Sequence, residues 1–188
     1  MGSDPRLDGW DGVFLCCGWL SMKLDAYDVK ILSILQRDGR ITKLKLAEAI
    51  HLSPSPCWER LRRLEVAGII RGYHAEVAIE CLAQFSMIWV EVHLHSHHAD
   101  DFGRFEKAVE LIPEIVECYA VGGGVDYLFK VMCRDIDHYQ QLIDELLLAD
   151  IRIERYFTYV VTKSVKRSPG LPIERLLASD SKDLVEGE

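Results

Sequence analysis

The spacing of apolar positions changes character near residue 75. Before it, apolar residues recur every three or four positions; beyond it, strictly alternating stretches enter. Tyr27, Ile31, Ile34 and Leu35 predict a first helix, with Asp25 as its N-cap, Asp28 three residues on in the first turn, and Gly39 as its stop. Thr42 caps a second helix that places Leu46, Ala47 and Ile50 on one face. His51-Leu52 then leads into a third helix, with Ser53 at its N-cap and Pro54 and Pro56 in a first turn where a missing N–H costs little. Cys57, Leu61 and Leu64 form its apolar stripe, and Gly68 can end it. The last two helices are joined by about three residues, the arrangement of a helix-turn-helix. Ile69-Ile70-Arg71-Gly72-Tyr73-His74 follows as two short extended pieces around a glycine, a small wing with Arg71 at its tip.

The second half reads differently. Residues 76–84 predict a connecting strand and turn. From Ser86 to His95 the chain alternates, with Ile88, Val90, Val92 and Leu94 on one face and Trp89, Glu91, His93 and His95 on the other. A helix over 100–111 turns Phe102, Phe105, Ala108 and Val109 inward and ends near Pro113. Strands over 115–121 and 125–133 are joined by Gly122-Gly123-Gly124. Asp135 caps a helix presenting Tyr139, Leu142, Ile143 and Leu146, and a long strand over 153–166 closes the series. The order β-α-β-β-α-β is ferredoxin-like, so the fold class is α+β, with helices covering one sheet face. The other face carries Trp89, Leu128 and Met132 or their alternates, too apolar to leave exposed, and is expected to pack against a second copy.

These elements divide the chain into an extension over 1–21, a winged helix-turn-helix over 22–74, a linker over 75–85, a ferredoxin-like domain over 86–167 and a tail over 168–188 that ends in acidic, mobile residues. Residues 1–21 match neither domain. The apolar run 12–20 is short and lacks a basic flank, which does not make a signal peptide. Met22 directly precedes a well-formed helix start. The first 21 residues therefore read as an upstream extension, or else as an arm on the surface, with disorder expected in either case.

Charge sharpens the division. The net charge of −8 over 188 residues is uneven: residues 22–73 carry +4, residues 1–21 carry −2 and the remainder −10. A basic module joined to an acidic one fits a polyanion partner for the first alone. An apolar content of 49% excludes general disorder. No apolar run approaches the ~18 residues of a membrane-spanning helix. The six cysteines, Cys16, Cys17, Cys57, Cys81, Cys118 and Cys133, form no C-x-x-C pair and mostly sit in apolar runs, which reads as reduced, buried thiols in a cytoplasmic protein.

The third helix then gains chemistry. Ser55, Glu59, Arg62 and Val66 lie opposite its apolar stripe, flanked by Trp58 and Arg63. Ser55, Trp58, Glu59, Arg60, Arg62, Arg63 and Arg71 are the candidate contacts to double-stranded DNA: arginine forks onto guanine or grips phosphate, and glutamate accepts from cytosine N4. The blocks L-D-A-Y-D-V-K-I-L at 24–32, D-G-R-I at 38–41, L-A at 46–47, L-S-P-S-P-C-W-E-R-L-R-R-L-E at 52–65, G-I-I-R-G-Y at 68–73, V-D-Y-L at 125–128 and T-Y-V-V at 158–161 resemble the Lrp/AsnC, or feast/famine, family of transcription regulators. The resemblance runs from about Met22 to Val165. It implies that the second domain binds a small effector, an amino acid or related metabolite, and assembles homodimers into tetramers or octamers.

The resemblance also places the effector beside Gly122, Gly123, Gly124, Val125, Asp126 and Tyr127. On its own this stretch is a glycine hairpin. The family's pattern there is G-D-x-D-Y-like, and Gly124 stands where its first acidic residue usually lies. Backbone N–H groups freed by the glycines suit a carboxylate, and Asp126 suits an ammonium or ties down the turn. His93 and His95 share a strand face, but no cysteine or carboxylate pattern completes a metal site, and 93–98 reads as a solvated strand end. No G-x-S-x-G or H-E-x-x-H marks an enzyme, and no cofactor is implied. Two other readings stay open: an architectural protein that wraps DNA without a ligand, and a small-molecule or metal binder with a vestigial DNA module.

Overall fold

The computed structural model describes residues 23–149, 151–168 and 170–177. The expectations for residues 1–21 and for the acidic end beyond residue 177 lie outside the described residues. The chain forms two compact units. Of the described residues, those up to Ala75 join those from Ser168 onward in one, and those of Glu76–Arg167 make the other.

The first unit holds α1 (Ala26–Leu35), α2 (Lys43–Ala49) and α3 (Pro54–Val66). Its core is Ile31, Leu32, Leu46, Ala47, Ile50, Cys57, Leu61 and Leu64, the helical stripes of the sequence. Asp25 closes a full capping box on α1: it accepts from Tyr27 N and Asp28 N, while Asp28 accepts from Asp25 N. Thr42 accepts from Lys45 N at the start of α2. Ser53 occupies the N-cap of α3 but its side chain makes no capping bond, because prolines at the first and third helical positions leave only Ser55 N to donate there. His51 takes φ +57 in the turn between α2 and α3, and Leu52 N donates back to Ala47 O. Gly68 takes φ +68 and completes a 6→1, 5→2 closure of α3 through Ile69 N to Leu64 O and Gly68 N to Glu65 O.

After α3 no ladder forms. Ile69 and Ile70 both spend their N–H groups on Leu64 O, and residues 71–78 run without regular structure, so the expected wing contains no paired strands. The expected linker strand is replaced by a single 3₁₀ turn, Ile79–Cys81. The tail returns to the first unit instead. The short helix α6 (Ile173–Leu177) sits on α1, where Ile173 packs against the helical core. Gln36 clasps the segment before it, accepting from Leu171 N at 2.6 Å and donating to Leu171 O at 3.3 Å. Gly170 lies so close that a Cβ there would meet Gln36 Cβ and Oε1 at 2.8 Å.

The second unit has the strands β1 (Ser86–Leu94), β2 (Ile115–Ala120), β3 (Tyr127–Cys133) and β4 (Ile153–Val160) and the helices α4 (Ala99–Glu110) and α5 (Ile136–Leu148). The strands form an antiparallel sheet in the order β2-β3-β1-β4. Ile88, Val90, Val92 and Leu94 share a buried core with Tyr127, Phe129 and Val131, and with Phe105, Val109, Tyr139, Leu142, Ile143 and Leu146 from the helices. The final strand stops at Val160 rather than at 166. Ile88 pairs with Val160 and Met87 O takes Val161 N, after which β1 offers no further partner. Of the four cysteines described, Cys57 and Cys133 are buried, whereas Cys81 and Cys118 are exposed, contrary to a uniformly buried set: one lies in the 3₁₀ turn and the other on the edge strand β2.

Gly170→Ala is expected to loosen the clasp at Gln36, and Ile173→Asp to expel α6 from the core. Each should lower the melting temperature of the first unit, the alanine costing about 1 kcal/mol of stability and the aspartate more. Melting followed by near-UV circular dichroism checks this.

Candidate DNA-binding helix and effector loop

The stripe Cys57, Leu61 and Leu64, exposed by 1%, 6% and 0%, fixes which side of α3 faces inward. Ser55, Glu59 and Arg62 then stand exposed on the outward side, and Arg71 is exposed beyond the helix. Trp58 flanks that surface. Lys43, the first residue of α2, sits over its indole with Nζ 3.0 Å from the ring centroid, a cation–π contact that holds the ring on α2.

Arg60 and Arg63 do not share this outward disposition. Arg60 Nη1 donates to Asp25 Oδ2 at 2.6 Å and to Asp28 Oδ1 at 2.9 Å, and Arg63 Nη2 donates to Asp28 Oδ2 at 2.6 Å. Both guanidiniums are turned to acids of α1, so the structure separates them from the other five candidates. Asp28 is 0% exposed, the only buried charged residue among those described. Burial raises the Asp25 carboxyl, but the Asp28 and Tyr27 N–H groups and the Arg60 guanidinium outweigh it and hold that carboxyl below the usual range. The same bonds raise Arg60 further above its ordinary value. Sequence reasoning missed these partners, although a signal was present: Leu24, Asp28, Ile31 and Leu32 follow helical spacing, which puts an acid on an apolar stripe. Tyr73 reaches back from the irregular segment and donates to Glu65 at 2.8 Å; burial and this bond push its hydroxyl up to about 12.

The 122–127 stretch is a tight connection between β2 and β3. Gly123 alone takes positive φ, +130, while Gly122 and Gly124 do not, and a Cβ at any of the three meets open space. The absence of an acid at 124 is thus not forced by backbone conformation or crowding. Asp126 is committed within the fold. Its Oδ2 accepts from Leu94 N at 2.8 Å, its Oδ1 lies 3.0 Å from His97 Nε2, and its own N–H donates to Val92 O at 3.0 Å. Those bonds tie the connection to the end of β1. Val125 is half-buried. Tyr127 points into the helix-side core at 3% exposure, where its hydroxyl donates to Glu106 at 2.7 Å and its ring lies 4.4 Å from that of Phe105. Burial and then the Glu106 bond push its acidity well down, so it stays a donor. His97 stacks on Phe102 at 6.0 Å. His93 lies edge-on to Phe157, and among the described residues no group of three metal-ligating side chains converges.

Residues 24–71 match the winged helix-turn-helix DNA-binding domain and residues 87–171 the Lrp/AsnC ligand binding domain. The transcriptional regulatory protein DoeX of Halomonas elongata is 62% identical over 146 residues, which covers 78% of this chain and 92% of that protein. The chain belongs to the Lrp/AsnC family of transcription regulators. The leucine-responsive regulatory protein of Escherichia coli is 41% identical over 80% of this Lrp/AsnC chain and 92% of its own length. Among solved structures, a transcriptional regulator from Neisseria meningitidis in complex with L-Met superposes with a TM-score of 0.76 at 34% identity, covering 82% of this chain and 99% of that one. An AsnC family regulator from Agrobacterium tumefaciens reaches the same TM-score at 32% identity, covering 82% and 100%. In this Lrp/AsnC regulator the helix-turn-helix and the ferredoxin-like sheet are therefore a DNA-binding and a ligand-binding domain. Among the described residues no helix is long and apolar enough to cross a membrane.

The depressed Asp25 carboxyl has a pH signature. A group whose folded value lies below its unfolded one, ~3.9, stabilises above that value and loses its contribution as pH falls through the folded value. Asp25→Asn should therefore melt closer to the unsubstituted protein at pH ~2.5 than at pH 7. Melting temperatures at the two values check it.

Proposed function

We propose that this regulator reads its operator with the outward side of α3, laying Ser55, Glu59 and Arg62 along the major groove with Trp58 at the edge and Arg71 on the flanking phosphates. The observation that carries the reading is the orientation of α3. Its buried stripe leaves one serine, one carboxylate and one guanidinium exposed together, the combination that recognises base edges and phosphate. Arg62→Ala should weaken operator binding by ~1–3 kcal/mol if Arg62 reads a base, or flatten the salt dependence if it holds phosphate. Electrophoretic mobility shift on DNA upstream of its own gene, at several salt concentrations, tests it; unchanged binding at every salt would refute the assignment.

The ligand-binding domain takes an amino acid or a related small zwitterion at 122–127. The support is the relative that holds L-Met together with three exposed glycines whose backbone is open to solvent. Asp126 acts by pinning the connection rather than by offering an unengaged carboxylate, so the recognising groups are the backbone N–H groups around Gly122–Gly124. Such a ligand alters operator affinity only through unequal affinity for two states of the protein, typically by ~1–3 kcal/mol. Gly124→Asp should change ligand preference while leaving DNA binding in place. Calorimetric titration of L-methionine and other amino acids into both proteins reads this, and identical binding would count against the loop.

The open sheet face joins two copies. Trp89, Leu128, Met87 and Met132 lie on it beside Tyr119, Phe157 and Tyr159, the last three about half exposed. Contiguous apolar area of this kind marks an interface. Trp89→Asp should shift the protein toward monomer in analytical ultracentrifugation.

A further inference from the structure

We propose that Asp28 is a positioning residue for DNA discrimination: by holding Arg60 and Arg63 it keeps two cations of the recognition helix off the phosphate backbone, and so limits binding that is blind to sequence. The proposal rests on α3 being the DNA-reading helix. Both carboxylate oxygens of Asp28 are answered from inside the protein, by Arg60 Nη1 at 2.9 Å, Arg63 Nη2 at 2.6 Å and Asp25 N at 3.2 Å. Its side chain is fully enclosed, whereas those of Arg60 and Arg63 are 26% and 50% exposed. The carboxylate thus draws two partly solvated guanidiniums inward from the flank of α3. Arg63 lies next to the outward side at 100° per residue, within one side-chain swing of the groove that Arg62 faces.

A cation that neutralises a phosphate adds ~0.9 to the slope of log affinity against log salt, whatever the sequence. Two arginines held by an acid add nothing to that slope and leave the base-reading residues a larger share of binding. Asp28→Asn is close in shape and removes the charge. It should release Arg63, while Arg60 keeps its bond to Asp25, tighten binding to a random-sequence duplex by several-fold at 50 mM salt, and steepen the salt slope by about 1. The ratio of affinities for the upstream DNA over the random duplex should fall. A purely structural role predicts the reverse, weaker binding to both duplexes with an unaltered slope, and that result would overturn the proposal.

Circular dichroism establishes that Asp28→Asn is folded. If it is not, the test passes to Arg62→Gln and Arg63→Gln. Arg62→Gln should weaken operator binding, and if it holds phosphate should flatten the slope by about one phosphate, roughly 3-fold in affinity between 50 and 200 mM salt, whereas Arg63→Gln should leave the slope unchanged. An Arg63→Gln slope flatter than that of the unsubstituted protein by about one phosphate overturns the role of Asp28. No effect of Arg62→Gln on either duplex instead overturns the assignment of α3 as the reading helix.

Discussion

A carboxylate removed from water must be answered by donors, and Asp28 is the place where that demand shapes this protein. Its neutralisation comes from another helix, so the apolar stripe of α3 is not alone in setting how that helix lies on α1. The stripe fixes which side of α3 is inward; two guanidiniums converging on one carboxylate fix its rotation and its position along the axis. Such an arrangement adds little net stability over a well-packed apolar substitute, whereas removing one partner leaves the enclosed carboxylate short of a donor. It is better understood as a device for orientation. The opposite flank is held by milder means, a lysine over an indole between α2 and α3.

The second unit meets its constraint with alternation. Residues of β1 turn in and out with period two, and β1 lies between β3 and β4, so its inward set is covered on both sides and from above by α4 and α5. The outward set is left as a row of large side chains in which Lys130 bonds Glu117 near the Trp89 ring. The 122–127 connection hangs from the same central strand. Asp126 receives Leu94 N and gives its own N–H to Val92 O, so the glycines project from an anchored base.

Periodicity carried most of this fold because it records which positions meet water. It found the inward residues of α2, α3, α5 and β1 and the order of elements along the second unit. What it does not record is partnership. Arg60 and Arg63 carry the same polar mark as Arg62, and only the geometry shows that an acid 35 or 32 residues earlier claims them. The extent of β4 was misjudged for a related reason: a strand ends where its neighbour ends, and Ser86 opens β1 whatever the residues after Val160 prefer. The region after α3 had the composition of short strands, but two-residue pieces are too short to nucleate a ladder once their N–H groups serve the helix. Conformation at the glycines followed the same rule, since three in a row do not say which one turns, and it is Gly123. Asp28 was the legible exception, an acid on an apolar stripe.

The clasp of Gln36 on the returning tail has a consequence in time. The DNA-binding unit joins three helices synthesised before the sheet to a segment synthesised after it. At elongation rates of about 5–20 residues per second, α1 to α3 stand without Ile173 for several seconds at least. A chain released early, or clipped in the stretch before Ser168, keeps α3 but lacks Ile173 against that core. Completion of the reader is thereby tied to completion of the sensor.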